Sequence, residues 1–500
     1  MRVVVVGHGM AATRFVEELT GNSAGVEVTV LGGEPRGSYN RVLLTSVLAG
    51  DYPRDGIWTH DAGWYRDRGV TVRDGIQVTG IDRAASLVTG ADGSRFGYDR
   101  LVLATGGVPN VPPVAGLRAD RSGGLLAGCH TFQTLADCEA LLADARHARR
   151  AVVVGGGVLG LEVARALSER GPTVRVVHRS GALMDAQLDP DGAAVLRRTV
   201  DELGIGCHLS TVARAVAGRD RVTGVVLDSG STLDCDLLVV ACGIKPDTAL
   251  ATGAELATRR GVLVDDAMRS VTDQRVLAIG DCAEHRGRAY GLVEPAFEQA
   301  AVAARTVLAG APGRYSGSRT VTRLKARGVE LASMGEVAPE PYDEDGVEVV
   351  KLIDPARGRY VKLVIRNGRL VGAVALGDAD VAASVTVAYD RRSILPPDRV
   401  RLLSGGEQPG TDPADLSDAT AVCRCNAVTA GQIRTSAGRG ARSVAAVARE
   451  TKATTGCGSC RSAVAALLAA RPAQRAAPNR RRCTLSDDRC DEERVPGGRT

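Results

Sequence analysis

The chain has 500 residues, which at ~100–200 residues per domain predicts three or four domains. It is 44% hydrophobic and 24% charged, which excludes wholesale disorder, and no apolar run reaches the ~18 residues of a membrane-spanning helix. A net charge of +5, an aromatic share of 3% and an N-terminus without a secretory cleavage site predict a cytoplasmic protein with no nucleic-acid and no membrane partner.

Val3–Val6 is a continuous apolar run, as in a strand buried on both faces. Met10–Leu19 has helical spacing, and Val26–Leu31 again reads as strand. Between the first strand and the helix lies Gly7-His8-Gly9-Met10-Ala11-Ala12, which fits G-x-G-x-x-G/A. Gly7 allows the tight turn, Gly9 lets a pyrophosphate approach the backbone, and Ala12 permits close packing of helix on strand. The helix N-terminus, at Met10 and Ala11, offers N–H groups and the positive dipole end to phosphates. Glu34 follows the second strand and suits ribose hydroxyls.

Leu101–Leu103 is a buried strand ending in the small-residue turn Ala104-Thr105-Gly106. The opening unit then recurs at 151–177, so two nucleotide-binding units are expected. The second turn is Gly155-Gly156-Gly157-Val158-Leu159-Gly160, followed by Leu161-Glu162. Gly155, Gly157, Leu159, Gly160 and Glu162 are its candidate contacts, and Gly243 is a further one. Its second strand, Thr173–Val177, ends in His178-Arg179 with no acid. An Arg there suits a ribose 2′-phosphate and points to NADPH. The same pair also reads as two solvated loop residues, so the nicotinamide preference stays open. Val276–Ile279 is another strand, ending in Gly280-Asp281, whose carboxylate suits a ribityl hydroxyl.

From 319 to 375 short alternating segments appear, with Asn367-Gly368 as a hairpin turn. Residues 404–418, rich in Ser, Gly, Pro and Asp, read as a linker. Residues 421–470 read as a compact helical unit, and the tail beyond them as disordered. Six of the twelve cysteines lie singly before residue 300 and read as small buried apolar residues. Four are grouped as Cys423-Arg424-Cys425 and Cys457-Gly458-Ser459-Cys460. Four thiolates in C-x-C and C-x-x-C pairs are a ligand set for a [2Fe–2S] cluster. Zinc is the alternative, and the C-x-C spacing counts against it. The second pair precedes the apolar stretch Ala463–Leu468, so it falls at a helix N-terminus that favours a negatively charged cluster.

In this order and spacing the two glycine turns, the 101–107 strand and the Gly-Asp turn resemble the two-dinucleotide-binding flavoproteins, a family of pyridine nucleotide-dependent oxidoreductases. The resemblance implies an α/β protein with two Rossmann-like domains, the first for FAD and the inserted second for NAD(P)H. A small antiparallel-sheet α+β domain and a small helical [2Fe–2S] domain follow. The implied partition is 1–112 with 240–312 for FAD, 113–239 for NAD(P)H, 313–403 for the antiparallel sheet, 404–418 as linker, 419–471 for the cluster and 472–500 as tail.

Tyr39-Asn40-Arg41-Val42-Leu43-Leu44 with Leu48-Ala49-Gly50 resembles the flavin-side segment of the large subunit of assimilatory NAD(P)H nitrite reductases, and so adds Arg41. Glu294-Pro295-Ala296 and Glu298-Gln299-Ala300 stand where that family covers the isoalloxazine, and so add Pro295. The late cysteines resemble the bacterioferritin-associated ferredoxin-like domain of the same subunits. Disulfide reductases of this superfamily carry two cysteines after the first ribose acid, but residues 35–50 hold none, so no dithiol relay is expected beside the flavin. Cys282 accordingly reads as a core residue. The sirohaem domain of full-length nitrite reductases is not matched, so the chain is not expected to reduce nitrite alone.

The resemblance implies an electron-transfer oxidoreductase with no catalytic side chain, since the hydride passes between bound cofactors. The expected acceptor is the molybdenum-containing catalytic subunit of nitrate reductase or a separate nitrite reductase. A ferredoxin or rubredoxin reductase-like enzyme and a non-enzymatic redox or iron sensor are the alternatives. A homodimer is left open.

Overall fold

The computed structural model describes residues 1–21, 25–118, 124–308, 313–341, 346–403, 416–423, 426, 428–455 and 460–470. Most of the expected linker, the tail, Cys425 and Cys457 lie outside the described residues.

Two five-stranded parallel sheets carry the first 300 residues. In the first, the strands run 276–278, 100–103, 2–6, 27–32 and 70–74 across the sheet. In the second they run 206–208, 173–177, 150–154, 237–240 and 129–131. Each sheet has a central strand, Arg2–Val6 or Arg150–Val154, whose two neighbours leave it in opposite directions across the sheet. Ligands of open α/β sheets bind at such a switch point, beyond the carboxyl ends of the strands. The helices that follow these strands, Met10–Thr20 and Val158–Ser168, bury their apolar faces. Phe15, Val16 and Leu19 of the first share a core with Ala300, Ala303 and Ala304 of the helix Val293–Leu308.

A third sheet is antiparallel, with strand order 321–326, 329–335, 369–376, 359–366 and 347–354. Asn367 and Gly368 both sit in the left-handed region, at φ 51° and 69°, as a two-residue hairpin turn requires. The helix Ala379–Arg391 covers one face through Val381, Val385 and Tyr389. The other face, with Leu324, Leu331, Tyr360 and Leu376, packs on the core of the second parallel sheet. An alternating pattern is compatible with one wet face; here both faces are covered, and Lys362 has no access to solvent.

Lys362 donates to Asp189 Oδ2 at 2.8 Å and to Glu340 Oε1 at 2.8 Å. Asp189 also caps the helix Pro190–Glu202 through Gly192 N at 3.0 Å. Burial pushes the Asp189 carboxyl up, but the bonds from Lys362, Tyr360 and Gly192 outweigh it and hold the pKa below the ordinary value. Lys362→Met leaves Asp189 buried with less compensation and is expected to cost about 3 kcal/mol. A group with a depressed pKa stabilises above its unfolded value and loses that stabilisation as pH falls. Thermal melts should therefore show the gap between wild type and variant at pH 7 and its narrowing below pH ~4.

The last described unit contains the strand Ala421–Cys423 and the helices Ala430–Gly438, Val444–Thr451 and Arg461–Ala469. Val428, Ile433, Val447, Val464 and Leu467 give it a core of its own. Among the described residues no helix is long and apolar enough to cross a membrane.

Candidate functional site

The two glycine turns have nearly the same geometry. Gly7 N donates to Leu31 O at 2.8 Å, and Gly155 N to Val177 O at 2.9 Å. Gly7 has φ +106° and Gly155 φ +126°, and a Cβ on either would lie 2.2 Å from a backbone oxygen, of Ala104 or Ala241. A Cβ on Gly9 or Gly157 would meet nothing within 4 Å. The first glycine of each turn is therefore closed by the neighbouring strand, while the second faces open space where a pyrophosphate can approach. A Cβ on Gly160 would stand 1.9 Å from Gly155 O, so the helix packs on its own turn. Ala12 holds the matching place in the first unit and is fully buried.

A cavity of about 600 Å³ opens at the first turn. Gly7, Gly9, Met10 and Ala11 line it, together with Glu34, Arg41, Ala104, Thr105, Gly106, Gly280 and Asp281. Glu34 accepts from the Tyr39 hydroxyl at 2.8 Å and pairs with Arg41. Gly280 N donates to Gln299 Oε1 at 2.8 Å, which fixes the Gly-Asp turn against the helix Val293–Leu308. Cys282, beside it, is wholly buried and its thiol donates to Ile279 O at 3.2 Å, as a core residue would.

The Asp281 carboxylate has no hydrogen-bond donor among the described residues, and burial, opposed by Arg41, raises its pKa to about 6. The folded apoprotein thus binds this proton more tightly than the unfolded chain. Its stability is therefore expected to fall as pH rises from about 4 to about 6. Asp281→Asn is expected to raise the melting temperature of apoprotein at pH 7.5 and not at pH 4. On the expectation that this carboxylate takes a ribityl hydroxyl of FAD, its loss should weaken FAD binding about tenfold, readable by flavin fluorescence titration.

A larger cleft, about 960 Å³, opens at the second turn. Gly155, Gly157, Leu159, Glu162, His178, Arg179, Gly243 and Pro295 all line it. Pro295 thus faces this cleft and not the first cavity, whereas Ala296 lines the first. The His178 ring packs on the glycine turn and accepts from Gly156 N through Nδ1 at 3.1 Å. Burial lowers its pKa, so the ring is neutral. Arg179 remains as the cation at the end of this strand.

Sequence reasoning missed the surroundings of Glu162. Its carboxylate is buried and accepts from Thr45 Oγ1 at 3.0 Å and Lys325 N at 2.9 Å, while Lys325 Nζ donates to Val42 O at 3.2 Å. These bonds join the flavin-side segment, the second nucleotide helix and the antiparallel sheet. No local pattern signals them, because the partners lie 117 and 163 residues from Glu162.

Cys423 ends the strand Ala421–Cys423, and Cys460 is the N-cap of the helix Arg461–Ala469; both are buried. Cys425 and Cys457 lie outside the described residues. Thiol donors in an apolar unit, one at a helix N-terminus, match the chemistry of an iron–sulfur cluster. Of the other cysteines before residue 300, Cys129, Cys138 and Cys235 are buried, Cys129 and Cys235 in one core, whereas Cys207 and Cys242 are only half-buried; burial pushes the thiols up, Cys207 to about 11 and Cys235 to about 12. The cluster unit also contributes Thr420, Val422 and Cys460 to the wall of the nucleotide cleft.

Two switch-point cavities, each with an open glycine and a helix N-terminus, define an α/β fold with two dinucleotide sites and an appended thiol-bearing unit. The pyridine nucleotide-disulphide oxidoreductase family matches residues 1–306, and the chain belongs to it. The rubredoxin NAD⁺ reductase C-terminal domain matches residues 321–390, and the BFD-like [2Fe–2S] binding domain residues 421–470. FAD, NAD(P)H and a [2Fe–2S] cluster are therefore its cofactors.

The chain is 33% identical over 473 residues to a nitrite reductase [NAD(P)H] of Bacillus subtilis, covering 93% of this chain and 57% of that one. It is 32% identical to the assimilatory nitrate reductase electron transfer subunit of the same organism, covering 93% of this chain and 59% of that one. It thus spans a little over half the length of these relatives. Among solved structures it resembles the covalent putidaredoxin reductase–putidaredoxin complex, with TM-score 0.70 and 23% identity, over 81% of this chain and 96% of that one. It also resembles the ferredoxin reductase of the CYP199A2 system of Rhodopseudomonas palustris, with TM-score 0.69 and 25% identity, over 79% of this chain and 95% of that one.

Proposed function

We propose that the protein takes electrons from NAD(P)H and delivers them to a partner reductase of nitrate or nitrite assimilation in the cytoplasm. The observation that carries this reading is the shared cleft. Cys460 and Thr420 of the cluster unit line the same space as Gly157, Glu162 and Pro295 of the nucleotide site. Likeness to the two Bacillus relatives supports the partner, either the catalytic subunit of nitrate reductase or a nitrite reductase. The separate matches over 321–390 and 421–470 support an antiparallel-sheet domain and a cluster domain of their own.

Bound together, the nicotinamide supplies a hydride, the flavin accepts electrons in pairs, and the cluster accepts them one at a time. The chain's own residues bind and orient. Gly9, with the N-terminus of Met10–Thr20, receives the FAD pyrophosphate; Glu34 takes ribose hydroxyls, and Asp281 takes a ribityl hydroxyl. Ala104, Thr105, Gly106 and Gly280 shape the same cavity, and Arg41 holds Glu34. Gly157, Leu159 and Gly243 receive the nicotinamide dinucleotide. Arg179, without help from the neutral His178, takes a 2′-phosphate, which favours NADPH. Cys423, Cys425, Cys457 and Cys460 hold the cluster.

The test is anaerobic addition of NADPH or NADH to the purified protein with EPR detection. A reduced [2Fe–2S] signal that appears as the flavin bleaches, faster with NADPH, is the expected result. Bleaching without an iron signal overturns the relay. A second reading, delivery to a detached ferredoxin-like carrier, is favoured by the match to the rubredoxin NAD⁺ reductase C-terminal domain. Faster turnover with a ferredoxin than with nitrate or nitrite reductase would select it.

A further inference from the structure

We propose that Asn40 and Asn426 form the joint by which the flavin unit seats the cluster unit, and that the joint bears on the cluster through Cys423. The inference rests on the relay reading above and names the contact that positions its two halves.

Asn40 stands between Tyr39 and Arg41, both of which line the flavin cavity, but does not line that cavity itself. It is buried, at 4% exposure. Its Oδ1 accepts from Val42 N at 3.0 Å, which caps the short helical turn Arg41–Leu43. That bond orients the carboxamide and points Nδ2 the other way. Nδ2 donates to Asn426 Oδ1 at 2.8 Å, across 386 residues of chain. A buried amide needs an acceptor, and among the described residues this one comes from the cluster unit.

Asn426 lies three positions after Cys423 and next to Cys425. Its Nδ2 is within 2.6 Å of Lys452 O and 3.1 Å of Thr455 Oγ1, which ties Asn426 to the end of the helix Val444–Thr451. It also reaches Cys423 Sγ at 3.8 Å. The two N–H groups of Nδ2 are shared among these three acceptors, with the sulfur the most distant, and a line of polar contacts runs from the flavin-side segment to a thiol of the cluster site. Hydrogen bonds to cluster sulfurs raise the reduction potential. The joint thus sets the seat of the cluster unit and biases the cluster towards accepting an electron.

The test uses the full-length holoprotein with Asn40→Ser. Serine keeps a neutral oxygen to cap Val42 N but lacks the Nδ2 donor. Amide exchange of the 421–430 peptide should quicken about tenfold, and flavin-to-cluster transfer should slow by about the same factor. Flavin bleaching by NAD(P)H should keep its wild-type rate. Asn426→Ser should also lower the midpoint potential of the cluster, and the double variant should be no worse than the more affected single one. Unchanged exchange at 421–430 and unchanged transfer in Asn40→Ser overturn the joint. An unshifted potential in Asn426→Ser overturns its effect on the cluster. Failure of wild-type protein to reduce its cluster with NAD(P)H would instead sink the relay, and the exchange measurement would still decide whether Asn40 seats the unit.

Discussion

Gly9→Ala is expected to yield a folded protein that purifies without flavin, whereas Gly7→Ala is expected to lose stability as well as flavin. The two glycines are two residues apart in one turn and do opposite jobs. Gly7 holds φ +106°, a region that costs an L-residue ~1–2 kcal/mol, and its Cβ would lie 2.2 Å from Ala104 O. Ala104 cannot yield easily, because its N–H bonds Val6 O at 2.8 Å in the central pairing of the sheet. Gly9 has extended backbone, φ −94° and ψ −170°, and open space before it. An alanine there strains nothing in the apoprotein, but its methyl occupies the approach of the pyrophosphate. Overpacking of that kind weakens binding by about a hundredfold. Flavin absorbance after purification and thermal melts of the apoproteins check both halves. A yellow Gly9→Ala protein would mean that the pyrophosphate lies elsewhere.

Cys460→Ser is expected to remove the cluster and leave the rest of the machine standing. The residue is buried, caps the helix Arg461–Ala469 and belongs to the core of its own unit, so a near-isosteric change keeps the packing. Serine is a poor ligand for an iron centre that wants thiolates. Iron content and the EPR signal should vanish. Reduction of a one-electron protein acceptor should fall by more than the ~10–100-fold that outer-shell changes cost. Dye reduction by NAD(P)H should continue, because the flavin cavity and the glycine turn of the nucleotide cleft are built from other elements, although Cys460 lines part of that cleft. Equal loss with dye and protein acceptors would show that the cluster unit supports the nucleotide cleft and does not relay electrons.

Much of the fold was legible where local physics decides it. The strand Thr173–Val177 is where the apolar run placed it, and the Asn367-Gly368 turn adopts the left-handed pair its residues favour. The glycine turns were readable because only glycine survives beside Ala104 O and Ala241 O. What stayed hidden are the contacts between units. Lys362 looks like a surface lysine until the nucleotide unit brings Asp189 to it across 173 residues. Thr45 and Lys325 carry no motif, and their bonds to Glu162 exist only because three units meet there. His178 was legible as a residue at a nucleotide site but not as a ring folded back on Gly156, since periodicity does not say which way a loop side chain turns.

The cluster unit keeps a core of its own, and a bond between two neutral amides crosses from it to the flavin unit. Between separate chains, such a contact would make a short-lived complex whose yield depends on how much of each protein is present. Carried on one chain, the same contact re-forms at an effective concentration on the order of millimolar, whatever the dilution. The covalent connection thus takes over the task of affinity, and the side chains at the seam are left to set geometry.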